Sequence, residues 1–167
     1  MSFFRLLVIA VLLFGAYKLA THLFGGSASA GGFKDTQGKT HSLSGAEKPV
    51  VLGFWIEGCP SFEAVISVLN DMRHRYPEDK VEVLSFYLNT IDDSALASLA
   101  AQEGVRVPAL QAQRTQEEHG RLRARFGLEG PAVYVVDKDD RISTIPAAED
   151  SVEVLRKAME SLDRALR

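Results

Sequence analysis

The chain has 167 residues, of which 46% are hydrophobic and 25% are charged, a composition typical of globular proteins and unlike that of disordered or collagen-like ones. The first 32 residues contain two basic and no acidic side chains, which leaves 17 basic against 22 acidic ones in residues 33–167. This negative balance, with no basic run to offset it, argues against a nucleic-acid partner, and the single cysteine, Cys59, excludes an internal disulfide.

The N-terminal segment is strongly apolar. Residues 3–24 are interrupted by four polar or charged side chains, Arg5, Lys18, Thr21 and His22. As a helix they would be about 33 Å long, enough to cross a bilayer. We expect residues 1–24 to form a transmembrane anchor, residues 25–32 a flexible Gly/Ser linker, and residues 33–167 a folded domain.

The alternative for this segment is a cleaved signal peptide that ends at the small residues 28–30. Both interpretations export the domain to the periplasmic or extracytoplasmic side. Basic residues flank both ends of the apolar span, so its orientation does not follow from charge alone.

The domain alternates strand-like and helix-like patterns. Strands are predicted at 33–35 and 40–43, which form a hairpin, and at 50–55, 81–88 and 132–136. A further strand is predicted to end at Ile145, and residues 107–110 are predicted to form a short extended piece. Helices are predicted from Pro60 to about Tyr76, over 94–103 after Asp92 or Asp93, from a cap at Thr115 to about Phe126, and after Asp150 or Ser151. This alternation predicts an α/β domain with a mixed sheet and helices on both faces.

Cys59 falls where a buried strand meets a helix. The apolar run 50–55 predicts a strand buried on both faces, and Pro60 is a residue typical of a first helical position. Backbone N–H groups and the helix dipole at such a place favour a thiolate over a thiol and so favour a nucleophile. A free cysteine is also often a small buried hydrophobe, so both interpretations stay open.

The residues around Cys59 resemble a known family. Phe54-Trp55 and Cys59-Pro60 match the spacing of the F-W-x-x-W-C-P-x-C segment in the thioredoxin-like superfamily, in its exported, membrane-anchored TlpA-like branch. Three later segments resemble the same family in order and distance: V-P-A-L at 107–110, F-G-L at 126–128 and P-A-V-Y-V-V-D at 131–137. The resemblance covers residues 33–167 and implies a thioredoxin-like mixed β-sheet flanked by helices, with thiol-disulfide oxidoreductase ancestry.

The sequence departs from that family in three places. Phe62 stands where the family has its second, resolving cysteine, Gly58 stands where it has the tryptophan before the first cysteine, and the loop before Pro131 is about one residue short. Without a neighbouring thiolate, a mixed disulfide at Cys59 has no internal attack to release it. Phe62 also begins an apolar helix face, which predicts a packing role.

Pro131 resembles the family's cis-proline, which lies beside the active cysteine. The resemblance implies a groove for an extended polypeptide next to Cys59, bordered by Trp55, Gly58, Pro60, Gly130 and Pro131. The residues alone favour an ordinary trans turn before a strand, since only about 5% of X–Pro bonds in folded proteins are cis.

Three functions fit these residues. The first is a membrane-anchored thioredoxin-like protein that binds or positions a protein partner, for example another membrane protein. The second is a monothiol redox protein that forms mixed disulfides through Cys59. A peroxiredoxin-like peroxidase fits less well, because Ile56 stands where that family has Thr or Ser and no proline lies in 53–58. No cofactor motif is evident, and the histidines lack the spacing of metal ligands.

Overall fold

The computed structural model describes residues 32–43, 46–147 and 150–167. The predicted anchor at 1–24, and all of the predicted linker except Gly32, lie outside these residues. Within the described ranges, no helix is both long enough and apolar enough to cross a membrane.

Seven strands and four helices make up the described chain. The strands are β1 Phe33–Lys34, β2 Thr40–His41, β3 Val50–Trp55, β4 Glu82–Tyr87, β5 Ala109–Gln111, β6 Ala132–Val136 and β7 Ile142–Pro146. The helices are α1 Phe62–Arg75, α2 Asp93–Gln102, α3 Gln116–Phe126 and α4 Ser151–Ala165.

Five of the strands form one mixed sheet in the order β5-β4-β3-β6-β7. Strands β3, β4 and β5 run parallel, while β6 is antiparallel to both β3 and β7. Strands β1 and β2 form a separate antiparallel hairpin with Phe33 opposite His41. The structure therefore confirms the predicted α/β class and the predicted hairpin.

Strand β3 lies at the centre of the sheet, and all six of its residues are buried. Its side chains alternate between the two faces, as the pleat requires. Val51 and Trp55 belong to an apolar cluster that includes residues of α1, α2 and α4, while Leu52 and Phe54 belong to a second cluster with residues of α3. Helices therefore cover both faces, as predicted.

Side-chain caps define the starts of three helices. Asp92 accepts a hydrogen bond from the Ala95 amide at 2.8 Å, and Thr115 accepts one from Glu118 at 3.1 Å. Asp150 accepts one from the Val152 amide at 2.9 Å. Each bond satisfies an amide that has no partner within its helix, which is why short polar residues at these places predicted helix starts.

Gly53 allows α1 to lie close to β3. A Cβ atom at this position would lie 2.5 Å from Cδ1 of Leu69 and 2.8 Å from Cγ1 of Val65. Gly53→Ala is therefore expected to lower the free energy of unfolding by about 1–3 kcal/mol, because the added methyl group overpacks the interface. Urea denaturation measures this change.

Gly120, in α3, is the matched control. A Cβ atom there would meet nothing within 4 Å. Gly120→Ala is expected to raise the free energy of unfolding by about 0.5–1 kcal/mol, because alanine loses less backbone entropy than glycine in a helix. A Gly53→Ala protein as stable as Gly120→Ala would contradict the close packing of α1 on β3.

Candidate functional site

Cys59 lies in the connection between β3 and α1, at the carboxyl end of the central strand. We call residues 56–61 the cysteine turn. Cys59 is half-buried, and its neighbours Gly58 and Pro60 are exposed. Gly58 has a φ of +72°, a left-handed conformation that glycine adopts without a steric penalty. The turn thus holds the thiol at the surface rather than inside the core.

Helix α1 begins at Phe62, so the prediction that it begins at Pro60 is wrong. The amide of Phe62 donates to the carbonyl of Cys59 at 3.0 Å and closes a separate turn before the helix. Ser61 is the N-cap residue but makes no side-chain bond to the helix. Its Oγ lies 3.8 Å from Sγ of Cys59, which places a hydroxyl beside the thiol.

Phe62, which the resemblance aligns with the family's second cysteine, packs as an aromatic side chain. Its ring centroid lies 5.9 Å from that of Trp55, and it contacts the apolar cluster that contains α1. Trp55 is fully buried and lies 5.0 Å from the ring of Tyr87. The predicted packing role of Phe62 is confirmed, and these three rings support the cysteine turn.

A hydrogen bond ties the cysteine turn to the neighbouring strand. The hydroxyl of Tyr87, the last residue of β4, donates to the carboxylate of Glu57. Burial raises the pKa of Tyr87, and the bond to Glu57 raises it further, so the hydroxyl keeps its proton and remains a donor. No local sequence pattern indicates this bond, because it depends on the parallel pairing of Trp55 with Tyr87.

Pro131 lies at the same end of the sheet as the cysteine turn. Ala132, the first residue of β6, pairs with Phe54, so the chain enters β6 beside the point where β3 ends. The described residues contain no cis peptide bond. The cis bond that the resemblance implied at Pro131 is therefore wrong: the bond is trans, the form that X–Pro peptides favour by about 0.5–1 kcal/mol.

The expected groove residues differ in how much surface they offer. Gly58 and Pro60 are exposed, whereas Gly130 and Pro131 are half-buried. Trp55 is fully buried, so it supports the surface without reaching a partner directly. Among the described residues, no group of three or more His, Cys, Asp or Glu side chains is arranged to hold a metal ion.

Comparison with known proteins places this site in a family. Residues 25–145, more than half of the chain, match the sequence profile of the AhpC/TSA family. The chain belongs to the AhpC/TSA family. No curated protein matches this chain.

Solved structures share the fold of this AhpC/TSA protein. A secreted Mycobacterium tuberculosis disulfide oxidoreductase, described as homologous to E. coli DsbE, is 18% identical with a TM-score of 0.59, over 81% of this chain and 98% of that one. The exposed lipoprotein thioredoxin Etrx1 of Streptococcus pneumoniae is 19% identical with a TM-score of 0.60, over 79% and 98%. StoA of Bacillus subtilis is 14% identical with a TM-score of 0.60, over 77% and 95%. The family member therefore has the thioredoxin-like fold of thiol-disulfide oxidoreductases.

The position of Cys59 predicts that its thiol reacts in the folded protein. It is half-buried between two exposed residues, so iodoacetamide has access to the sulfur. At mildly alkaline pH, native protein is expected to gain a single carbamidomethyl group by intact mass spectrometry, and Cys59→Ser protein none. Labelling that requires denaturant would show that the cysteine turn encloses the thiol.

Proposed function

We propose that this protein is a TlpA-like, membrane-anchored member of the AhpC/TSA family whose exported domain binds a protein partner at the surface around Cys59. The cysteine turn carries the proposal, because it presents a half-buried thiol between exposed Gly58 and Pro60. The turn follows the carboxyl end of a central parallel strand, the edge at which α/β sheets commonly bind ligands.

Open space flanks this surface. A Cβ atom added at Gly58 or at Gly130 would meet nothing within 4 Å. Ile56, Phe62 and Pro131 are half-buried and offer apolar area. An extended segment of a partner could therefore lie across the cysteine turn with its backbone close to the two glycines.

Export of the domain has support from two kinds of observation. The apolar span at 3–24 is long enough to cross a bilayer or to direct secretion. Proteins with the same fold are described as a secreted disulfide oxidoreductase and as an exposed lipoprotein thioredoxin.

A second candidate function is monothiol exchange, which the accessibility of Cys59 favours. The Cys59 thiolate would attack one sulfur of a partner's disulfide, form a mixed disulfide and expel the partner's other sulfur as a thiolate. Phe62 offers no thiol to reverse this step. Release would need an external thiol. Its thiolate would attack the partner's sulfur in the mixed disulfide, form a new disulfide with that sulfur and expel Cys59 as a thiolate.

Capture of the partner from membranes with matched variants tests the proposed binding. Gly130→Arg is expected to lose the partner, because the new side chain fills open space on the surface around Cys59. Gly120→Arg places the same side chain in open space on α3 and is expected to keep it. Equal recovery with wild type and Gly130→Arg, measured by quantitative mass spectrometry, would argue against binding at this surface.

Cys59→Ser separates binding from exchange in the same experiment. Partner binding without chemistry predicts equal recovery with wild type and Cys59→Ser. Monothiol exchange predicts a covalent adduct on non-reducing gels that dithiothreitol removes and that Cys59→Ser never forms.

If residues 1–24 form a transmembrane anchor, most of the protein is expected to stay in the membrane fraction after carbonate washing, with residues 1–30 attached. An apolar span of this length does not leave the bilayer when peripheral contacts are broken. N-terminal sequencing measures the outcome, and a mature N-terminus at Gly31 would instead establish the signal peptide.

A further inference from the structure

A histidine lies buried between two carboxylates at the start of β4, the end opposite to the one that Cys59 follows. His41, the second residue of β2, is 3% exposed. Its Nδ1 lies 2.6 Å from Oε1 of Glu82, the first residue of β4, and its Nε2 lies 2.9 Å from Oδ2 of Asp35. An ionised carboxylate can only accept hydrogen bonds. Both bonds therefore form together only when the ring carries a proton on each nitrogen.

Asp35 connects this contact to the edge of the sheet. Its Oδ1 accepts hydrogen bonds from the amides of Gln37 and Lys39 at 2.8 and 2.9 Å, which shape the hairpin turn. Its backbone forms an antiparallel bridge with Leu110 of β5. The hairpin thus covers the outer edge of β5. The hydrogen bonds of His41 are among the contacts that connect the hairpin to the sheet.

Asp35 remains ionised in weak acid. Burial raises the pKa of this carboxyl, but hydrogen bonds from His41 and from the amides of Gln37 and Lys39 lower it more, and the net pKa is below the ordinary value. The two amides donate to Oδ1 of Asp35, so only Oδ2 of this buried carboxylate depends on the proton at Nε2 of His41.

Charged groups from each neighbouring element face the same cavity as His41 and Glu82. They are Lys39 from the hairpin turn, Lys48 from the segment before β3, Arg73 from α1, and Glu78 and Asp79 from the segment before β4. Arg73 pairs with Glu78 at 2.9 Å, and Lys48 donates to the carbonyl of Glu78. These bonds engage Arg73 and Lys48 with Glu78, while His41 contacts both Asp35 and Glu82.

We propose that Asp35, His41 and Glu82 form a proton-operated latch that holds the β1–β2 hairpin on the edge of the sheet. The latch is closed while the ring carries both protons. When the ring loses one, a nitrogen lone pair faces a carboxylate oxygen, and that oxygen loses the hydrogen bond from the ring. The hairpin then separates from the sheet locally, and the edge of β5 becomes accessible while the central strands stay folded.

The sign of the pH dependence follows from this chemistry. The contribution of the latch is present while the ring carries both protons and is lost as rising pH removes one of them. At the acid extreme, protonation of Asp35 removes the acceptor of Nε2, and the lowered pKa of Asp35 keeps that limit at low pH.

Amide hydrogen exchange from about pH 5.5 to 8.5 tests the latch. After correction for intrinsic exchange rates, protection of residues 33–41 and 109–111 relative to β3 is expected to fall about tenfold across this range in wild type. The carbon-bound ring protons of His41, followed by NMR, report whether the ring loses a proton over the pH range in which the protection changes. Protection of the hairpin equal to that of β3 at every pH would overturn the proposal.

Glu82→Gln is the discriminating variant. The amide can accept from a protonated ring nitrogen or, after rotation, donate to a neutral one, so the bond survives in both states. The change in hairpin protection is expected to shrink to less than about threefold in Glu82→Gln and in His41→Gln. The control is His74→Gln, which removes an exposed histidine from the end of α1 and keeps the wild-type pH dependence.

An unaltered pH dependence in Glu82→Gln would overturn the latch. If His41→Gln does not fold, wild type and Glu82→Gln still decide the outcome, because both retain the histidine.

Discussion

Helix α1 lies directly against β3 because Gly53 has no side chain. The side chains of Val65 and Leu69 fill the space that a Cβ atom at Gly53 would occupy. That contact fixes the rest of the domain. Strand β3 is buried along its whole length, with β4 parallel on one side and β6 antiparallel on the other. With both faces and both edges of the strand occupied, the chain leaves the sheet only at the strand's carboxyl end. The cysteine turn stands there.

The packing around this turn also limits its chemistry. Trp55, Phe62 and Tyr87 form a continuous group of rings next to Cys59, and Phe62 contributes apolar contact where a second thiol would permit internal release. The proposed function rests on this single sulfur, which has no second thiol beside it to release a mixed disulfide.

Strand β4 carries polar contacts at its two ends. Glu82, at the start, bonds to His41, and Tyr87, at the end, bonds to Glu57. The first contact holds the hairpin and the second holds the cysteine turn. Because the six-residue strand separates them, a change in the protonation of His41 acts on the β5 edge and leaves the support of Cys59 in place.

The sequence by itself determined the elements that depend on local patterns. The apolar runs at 50–55 and 132–136 predicted two strands with their observed bounds. Capping residues predicted three helix starts, at Thr115 and, to within one residue, at Asp92 and Asp150. Burial on both faces and helix capping depend on residues that are close in sequence. The family resemblance drew attention to Cys59 and to Phe62.

The tertiary structure alone decided the contacts between distant residues. The bond from His41 to Glu82 spans 41 positions, and that from Tyr87 to Glu57 spans 30, so each depends on strand pairing that no local pattern specifies. The start of α1 at Phe62, two residues after Pro60, likewise appears only in the structure. Periodicity identifies which residues are buried, but the register between strands determines which polar groups meet.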